Sequence, residues 1–352
     1  MAKFSEVLTI INGKNQSKVE NPYGKYPIYG SGGIMGYADD YICEPHTVII
    51  GRKGSINKPI FVETPFWNVD TAFGLFANRD VLLPKYLYYF CEQFDFEKLN
   101  TTVTIPSLTK ANLLNIEIIV PDISIQKDIV SQLDKVQSVI SFRKQQLSKL
   151  DELVKSRFIE MFGDVTKEDT LINLCHFIDY RGKTPEKVES GLPFITAKNV
   201  RMHHMSFDTQ EYISKVTYDK VMTRGFPKIG DVVFTTEAPL GNVCRIPHID
   251  TEFYIGQRII TMQTDCLEPA YLEYALSSDK FREKIAEKSS GSTVTGIRSK
   301  LLEQLTIPVP PRKLQTQFAT FVEQVDKSKF EIQKSLEKLE TLKKALMQKY
   351  FG

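Results

Sequence analysis

The sequence predicts an α+β fold in which two similar globular domains are separated by an antiparallel pair of long coiled-coil helices. Two observations carry this prediction: an internal repeat, and a regular apolar stripe inside it. A shift of 189 residues places Pro121–Gly163 on Pro310–Gly352 without a gap, and ten of the 43 pairs are identical. The predicted domains are therefore residues 1–121 and 164–309, and the predicted helices are residues 122–163 and 310–352.

The repeated segments have the pattern of coiled-coil helices. Apolar residues recur at alternating steps of four and three over about five heptads, in the same phase in both copies. Each helix should begin just past its proline, near Ser124 and Lys313, and end at its glycine. A stripe of about 39 residues would extend for about 58 Å, more than one domain can cover. In the alternative, each helix packs only on its own domain. The predicted seam consists of Ile129, Leu133, Val136, Leu147, Leu150, Val322, Val325, Leu336 and Leu339.

The segments before the helices also repeat, although more weakly. Short β-branched runs between glycine and proline turns indicate a mixed α+β domain. The matching runs are Tyr26-Pro27-Ile28 with Leu192-Pro193-Phe194, Thr47–Ile50 with Asp231–Phe234, Gly54-Ser55-Ile56 with Gly241-Asn242-Val243, Phe66 with Phe253, Pro84–Leu87 with Pro269–Leu272, Thr102–Thr104 with Thr293–Thr295, and Ile116–Val120 with Leu305–Val309.

Composition places the chain among ordinary globular proteins, with 42% apolar and 25% charged residues in a length of 352. The lack of an apolar run of about 18–20 residues, and of a signal-like start, predicts a cytoplasmic protein without a membrane partner. A net charge of +2 means that any nucleic-acid contact must use basic residues sorted onto particular faces.

The residues that usually carry catalysis or metal binding do not form a recognisable set. Gly182-Lys183-Thr184 lacks the first glycine of a phosphate loop, because Phe177 stands there. Asn21-Pro22-Tyr23 resembles a methyltransferase tetrapeptide without its second proline. The cysteines and histidines show no metal-ligand spacing, so we expect mostly buried, reduced thiols and no metal. His203 and His204 remain open as ligand contacts, and Trp67 is expected in the core.

Polar and basic residues gather in equivalent loops of the two halves. Arg, Lys, Asn and Thr are the side chains that read base edges and bind phosphates. Each of them taken alone fits a solvated surface residue equally well, and the clustering favours DNA. The candidate DNA-binding residues are Lys14, Lys18, Arg52, Lys53, Asn57, Thr102, Thr104 and Lys110 in the first half, and Arg181, Lys183, Lys198, Asn199, Arg201, Arg258, Thr293, Thr295 and Arg298 in the second.

With this repeat, the whole chain resembles the specificity subunits of type I restriction–modification systems. The resemblance is carried by Tyr26–Gly30, by Asp179–Pro185, and by Gly291–Thr295 continuing through Pro308-Val309-Pro310-Pro311 into Gln315. Gln126 stands at the helix-start glutamine of the first half. The match is weaker at Pro121-Asp122, where the second proline is missing.

The resemblance implies two target-recognition domains that each read one half of a split sequence in double-stranded DNA. It implies that the paired helices fix the spacing, about one helical turn (~34 Å), and dock two methyltransferase subunits. Restriction subunits would join the full complex. S-adenosylmethionine, ATP and Mg²⁺ would belong to these partners, so the chain itself is expected to hold no cofactor and no catalytic residue.

Two other classes of function stay open at this point. One is a DNA-modifying enzyme whose site has no familiar motif, which turnover by the purified chain would reveal. The other is a coiled-coil scaffold or an RNA-binding module, which competition between duplex DNA and RNA would separate from a DNA reader.

Overall fold

A computed structural model of the protein describes residues 1–100, 107–180, 185–289 and 295–352. The chain forms two compact units. The first unit consists of Met1–Gln145 together with Ile332–Gly352, and the second of Gln146–Glu331. Each unit thus takes part of both long helices. The four consecutive segments expected from sequence stay a prediction.

The first unit is built on two small sheets and short helices. One sheet has the order β2-β8-β5-β6 and the other β4-β3-β7, while β1 pairs with β9. The strands and helices are β1 (Ala2–Lys3), α1 (Phe4–Val7), β2 (Leu8–Asn12), β3 (Tyr26–Gly30), β4 (Gly33–Ala38), β5 (Thr47–Gly51), β6 (Ile60–Val62), β7 (Trp67–Asn68), β8 (Ala72–Ala77), α2 (Pro84–Gln93), a 3-10 helix (Phe96–Leu99), α3 (Lys110–Leu114), β9 (Glu117–Ile118) and the start of α4 (Ile123–Phe162).

The second unit repeats this plan with insertions. Its sheets have the orders β11-β19-β16-β17 and β15-β12-β18, while β10 pairs with β20 and β13 with β14. After α4 the elements are β10 (Glu168–Thr170), α5 (Leu171–Leu174), β11 (His176–Asp179), β12 (Leu192–Ile195), β13 (Val200–Arg201), β14 (His204–Met205), β15 (Glu211–Ile213), α6 (Lys215–Val221), β16 (Val232–Thr235), β17 (Val243–Arg245), β18 (Tyr254–Ile255), β19 (Ile259–Gln263), α7 (Pro269–Ser277), α8 (Asp279–Lys288), α9 (Ser299–Glu303), β20 (Thr306–Pro308) and α10 (Arg312–Phe351).

Most of the sequence matches between the halves reappear as equivalent elements. β3 corresponds to β12, β5 to β16, α2 to α7 and β9 to β20, and both central sheets have the same antiparallel order. One predicted match was wrong. Val243 begins β17, whereas Ile56 lies in the loop before β6, so the two glycine-containing runs stand at different points of the two connections.

The long helices begin and end within one residue of the positions that the flanking prolines and glycines predicted. α4 covers Ile123–Phe162 and α10 covers Arg312–Phe351, so each stops directly before its glycine. All nine predicted seam side chains are buried or half-buried. Ile129 and Leu133 pack into the core of the first unit beside Met347, and Val322 and Val325 into that of the second. The globular cores therefore cover part of the stripe, as the alternative arrangement requires.

Within each unit, the two helix segments also contact one another. In the first unit, Gln132 accepts from Tyr350 at 2.9 Å and Gln137 accepts from Lys343 at 2.8 Å. Residue numbers rise along one helix as they fall along the other, so these segments are antiparallel. In the second unit, Asp151 pairs with Lys329 and the rings of Phe162 and Phe318 lie 5.4 Å apart. Continuous coiled-coil pairing along both helices stays a prediction.

A buried glutamine ties the start of each helix to the domain before it. Gln126 accepts the backbone N–H of Leu83 at 2.8 Å and donates to the carbonyl of Pro121 at 2.8 Å. In the second unit, Gln315 accepts the N–H of Glu268 at 2.9 Å and donates to the carbonyl of Pro310 at 2.9 Å. Since a long polar side chain is rarely buried without full pairing, this duplicated bond explains the glutamine at both helix starts.

The expectations for Trp67 and for mostly buried, reduced cysteines are confirmed. Trp67 is 7% exposed and donates its indole N–H to the carbonyl of Lys14 at 3.0 Å. All five cysteines are unpaired, and four of them are buried. Across the described ranges no helix is long and apolar enough to span a membrane, and no histidine, cysteine and carboxylate side chains are grouped as a metal site would need.

Candidate nucleic-acid interface

The loops that carry the candidate residues of the first unit meet at one edge of its sheets. β2 and β5 both run antiparallel to β8, so their last residues lie beside the first two residues of β8. β3 runs parallel to β7, which ends just before β8 begins. The loops after β2, β3 and β5 therefore converge on residues 68–72, which connect β7 to β8. We call this the loop edge of the first unit.

Backbone hydrogen bonds fix the basic residues at this edge. The N–H of Lys14 donates to the carbonyl of Asn68 at 2.8 Å, and the N–H of Arg52 donates to the carbonyl of Thr71 at 2.7 Å. Lys53 forms an isolated β-bridge with Ser107, directly after the segment that contains Thr102 and Thr104. Lys14, Lys18, Arg52 and Lys53 are all exposed, so their charges face solvent.

The second unit has an equivalent loop edge. β11 and β16 run antiparallel to β19, so their last residues, Asp179 and Thr235, lie beside the first two residues of β19, which Arg258 precedes. The N–H of Thr236 donates to the carbonyl of Arg258 at 2.9 Å, as Arg52 donates to Thr71 in the first unit. Lys198 follows β12 at the same edge, and the Val200 carbonyl accepts from Asn242 at 2.9 Å. Thr295 and Arg298 flank Gly296, which bridges Glu237.

Several candidate residues are already engaged within the protein. Asn199 is 3% exposed; its amide accepts from Thr196 and donates to the carbonyls of Ser206 and Thr209. The Asn199 amide thus holds a turn within the protein, and its contact with DNA stays a prediction. In the same way, the Asn57 amide donates to Asp95 and accepts from Phe96.

Other candidates keep an exposed side chain or lie outside the described residues. Lys110 donates to the carbonyl of Ile10 at 2.8 Å while remaining exposed, and Arg201 is exposed on the β13–β14 hairpin. Arg298 is exposed and stands at the start of α9. The predicted contacts that fall outside the described residues are Thr102, Thr104, Arg181, Lys183 and Thr293.

The two loop edges differ in charge at one equivalent position. Lys53 and Glu237 each follow the central strand by two residues and form the corresponding β-bridges. Glu237 accepts from Arg258 at 2.9 Å, with both side chains partly exposed. The carboxylate of Glu237 thus partly neutralises the positive charge of Arg258 at the loop edge of the second unit. The sequence reasoning missed Glu237, although the match of Thr47–Ile50 with Asp231–Phe234, continued along the chain, places Lys53 on Glu237.

Sequence reasoning also missed a buried ionic cluster in the second unit. Glu273 is 1% exposed and accepts from Arg245 at 2.6 Å, while its other oxygen lies 2.9 Å from Nδ1 of His203. Arg245 also donates to Asp326 on α10 at 2.9 Å. Burial opposes ionisation of Glu273, but the His203 hydrogen bond and the Arg245 charge outweigh it and hold its pKa below its usual range. His203 is thereby accounted for within the fold.

Comparison with known proteins agrees with this architecture. The family "Type I restriction modification DNA specificity domain" matches residues 1–152 and again residues 171–344. The chain is 23% identical over 332 residues to the type I restriction enzyme MjaVIII specificity subunit of Methanocaldococcus jannaschii, covering 85% of this chain and 74% of that protein. It is 22% identical over 357 residues to a putative type I restriction enzyme specificity subunit of Haemophilus influenzae, covering 92% and 86%.

Solved structures show the same fold at low sequence identity. The S subunit of a type I restriction–modification system from M. genitalium superimposes with a TM-score of 0.64 at 16% identity, covering 99% of this chain and 95% of that one. A chain from a study of assembly and conformational transition of the type I system gives 0.56 at 18% identity, covering 99% and 96%. The chain therefore belongs to the type I restriction–modification DNA specificity family, and the family's domain occurs in it twice.

Proposed function

We propose that this chain reads a bipartite sequence in double-stranded DNA, with each loop edge contacting one half-site. The observation that carries the proposal is the duplicated convergence of basic loops. The backbone N–H of Arg52 donates to the carbonyl of Thr71 in one unit, and the N–H of Thr236 donates to the carbonyl of Arg258 in the other, so the two hydrogen bonds are equivalent. Basic and hydroxyl side chains on a rigid sheet edge suit phosphate and base-edge contacts. Because the loops differ in sequence, the half-sites should differ as well.

The long helices are proposed to set the number of unread base pairs and to dock two methyltransferase subunits. A helix of 40 residues is a rigid spacer of about 60 Å. Outside the predicted seam, α4 and α10 leave large apolar side chains in solvent, including Phe142 at 56% and Phe330 at 65% exposure. Exposed aromatic side chains of this kind are typical anchors of protein interfaces. Restriction subunits would join the same complex.

We further propose that the chain has no catalytic role. Methyl transfer from S-adenosylmethionine, and ATP- and Mg²⁺-dependent restriction, would belong to the partner subunits. The purified chain should neither methylate nor cleave DNA, and should bind duplex weakly until a methyltransferase subunit is added. Turnover by the pure chain, abolished by a point substitution in it, would contradict this assignment and favour the enzyme alternative.

The division of labour between the units can be tested by mapping methylated sites. Arg52→Ala, in the complex with the methyltransferase subunit, should change or relax only one half of the recognised sequence, and Arg298→Ala only the other half. A side chain that reads a base costs about 1–3 kcal/mol at one position when removed. A first-unit substitution that altered bases on both sides of the gap would refute independent reading.

Spacing provides a separate test. Adding or deleting four residues within 140–150 of α4 should change the number of unread base pairs and leave both half-sites intact. The readout is the same map of methylated sites, compared with that of the unaltered chain. Unchanged spacing in an active variant would show that the helices do not measure the gap.

A further inference from the structure

A glycine turn at the loop edge of the first unit carries two exposed apolar side chains. β3 and β4 form a hairpin whose turn is Ser31-Gly32, and after Gly33, the first residue of β4, Ile34 and Met35 follow at 55% and 64% exposure. Large apolar side chains are unfavourably exposed to water at the end of a hairpin, and a partner that covers them would gain the free energy of burying their surface. We call residues 31–35 the hairpin tip.

The backbone of the hairpin directs these side chains outward. The register passes from Ile28 opposite Gly36 to Tyr29 opposite Ile34, so Met35 is an extra, unpaired residue in a β-bulge. Bulges re-aim side chains and often occur next to functional sites. A methyl group added at Gly30 would lie 2.6 Å from the sulfur of Met35, so Gly30 leaves room for that side chain.

The tip lies among the basic loops already described. A methyl group on Gly51, directly before Arg52, would lie 3.0 Å from Cβ of Ser31. A methyl group on Gly30 would lie 3.5 Å from the side chain of Val69. Val69 is one of residues 68–72, which connect β7 to β8 and whose carbonyls accept the backbone N–H groups of Lys14 and Arg52. An apolar tip beside exposed lysine and arginine side chains suits a ligand that has both an anionic backbone and apolar faces. Duplex DNA is such a ligand, with phosphates outside and stacked bases within.

The tip itself leaves room for close approach. A methyl group added at Gly32 would meet no protein atom within 4 Å, so packing within the chain gives no reason for glycine there. A backbone without side chains can approach a sugar–phosphate strand closely. DNA-binding proteins insert side chains such as Ile and Met between base pairs, and the unstacking they cause is offset by added contacts.

We propose that Ile34, supported by Met35, inserts between two base pairs of the first half-site and unstacks them. This inference rests on the proposed function and adds a specificity mechanism to it. A flexible pyrimidine–purine step is the most easily unstacked, so the tip would favour such a step without hydrogen bonds to its bases. In the second unit, β12 is the equivalent of β3, but it pairs with β15, and no glycine turn joins these two strands. We therefore expect unstacking in one half-site only.

The test uses the complex of the full chain with its methyltransferase subunit on its mapped target. 2-Aminopurine is placed in turn at each position of both half-sites except the methylated adenines, which the methyltransferase itself can flip. With the unaltered chain, fluorescence should rise roughly threefold at one or two adjacent positions of the first half-site. The combined substitution Ile34→Ala and Met35→Ala should remove that rise and weaken binding about tenfold, with the salt dependence unchanged.

Two further variants separate insertion from folding. Ile34→Leu keeps an apolar wedge and should keep the rise. Ile119→Ala removes an isoleucine of 54% exposure directly after β9, which pairs with β1 and not with the hairpin, and should change neither signal nor affinity. If the unaltered complex binds and methylates its target without a rise, or the double variant keeps the rise, insertion is refuted. Failure of the unaltered complex to bind any mapped site would overturn the proposed function instead.

Discussion

The ring of Phe162, the last residue of the central helix, lies 4.8 Å from the ring of Tyr271 on α7. Phe351, the last residue of α10, lies 5.0 Å from the equivalent Tyr86 on α2. Each tyrosine hydroxyl also donates to a backbone carbonyl just before a long helix, Tyr271 to Pro308 and Tyr86 to Ile119. The core of the first unit is thus completed by residues more than 200 positions away in sequence.

We therefore expect removal of residues 332–352 to destabilise the first unit selectively. The deletion takes away Met347 and Phe351, which pack on the core that contains Tyr86 and Phe90. Hydrogen exchange measured by mass spectrometry should accelerate in β2, β5 and β8 and remain near normal in β16 and β19. Phe351→Ala should give a milder effect of about 1–3 kcal/mol, since its ring is half-buried. If hydrogen exchange accelerated equally in both units, the assignment of residues 332–352 to the first unit would be contradicted.

The seam assignment predicts different effects for two leucines on α10. Leu336 is 5% exposed and Leu342 is 46% exposed. Leu336→Asp should lower the free energy of unfolding by about 3 kcal/mol or more, because it removes buried apolar contact and buries a charge. Leu342→Asp, the matched control on the same helix, should cost about 0.5 kcal/mol or less. Thermal melts followed by circular dichroism give the comparison, and equal melting temperatures would refute the assignment.

The ionic cluster of the second unit should be sensitive to its buried member. Glu273→Gln removes the buried carboxylate that pairs with Arg245 and His203, leaves Arg245 only its exposed partner Asp326, and should cost about 3–5 kcal/mol. Asp326→Asn, at a side chain that is 44% exposed, should cost less than about 1 kcal/mol. Chemical denaturation of the two variants measures the difference, and a neutral Glu273→Gln would show that the buried charge adds no net stability.

The lowered pKa of Glu273 fixes the sign of a pH effect. The ionised Glu273 side chain stabilises the folded state fully at pH values above the ordinary glutamate pKa of 4.5. This stabilisation is lost as the pH falls through the lower pKa that Glu273 has in the folded state. The stability gap between the unaltered chain and Glu273→Gln should therefore be constant at neutral pH and narrow only below pH 4.5. A gap that closed between pH 6 and 8 would assign the effect to another group.

The equivalent positions Lys53 and Glu237 permit a reciprocal charge test. Lys53→Glu should weaken DNA binding and reduce the slope of log K against log salt by about 0.9 for each phosphate that the protein no longer neutralises. Glu237→Lys should release Arg258 and steepen the slope by a similar amount. Neither change should alter the recognised bases, because phosphate contacts carry no sequence information. Slopes that move in the same direction for both variants would exclude a role at the DNA backbone.

The sequence alone determined the features that depend on local pattern and repetition. The 4-3 stripe and its flanking proline and glycine located α4 and α10 within one residue, because helix boundaries are decided by nearby side chains and backbone freedom. The repeat of Tyr26-Pro27-Ile28 in Leu192-Pro193-Phe194 identified β3 and β12 as equivalent strands.

Only the tertiary structure decided what distant segments do together. It buried the Asn199 amide in a turn, paired Arg258 with Glu237, and assembled Glu273, Arg245 and His203 from three separate elements. It also placed the end of α10 in the first unit. Periodicity reports which face of a segment is apolar, but which segment covers that face depends on long-range packing, and no local pattern encodes that partner.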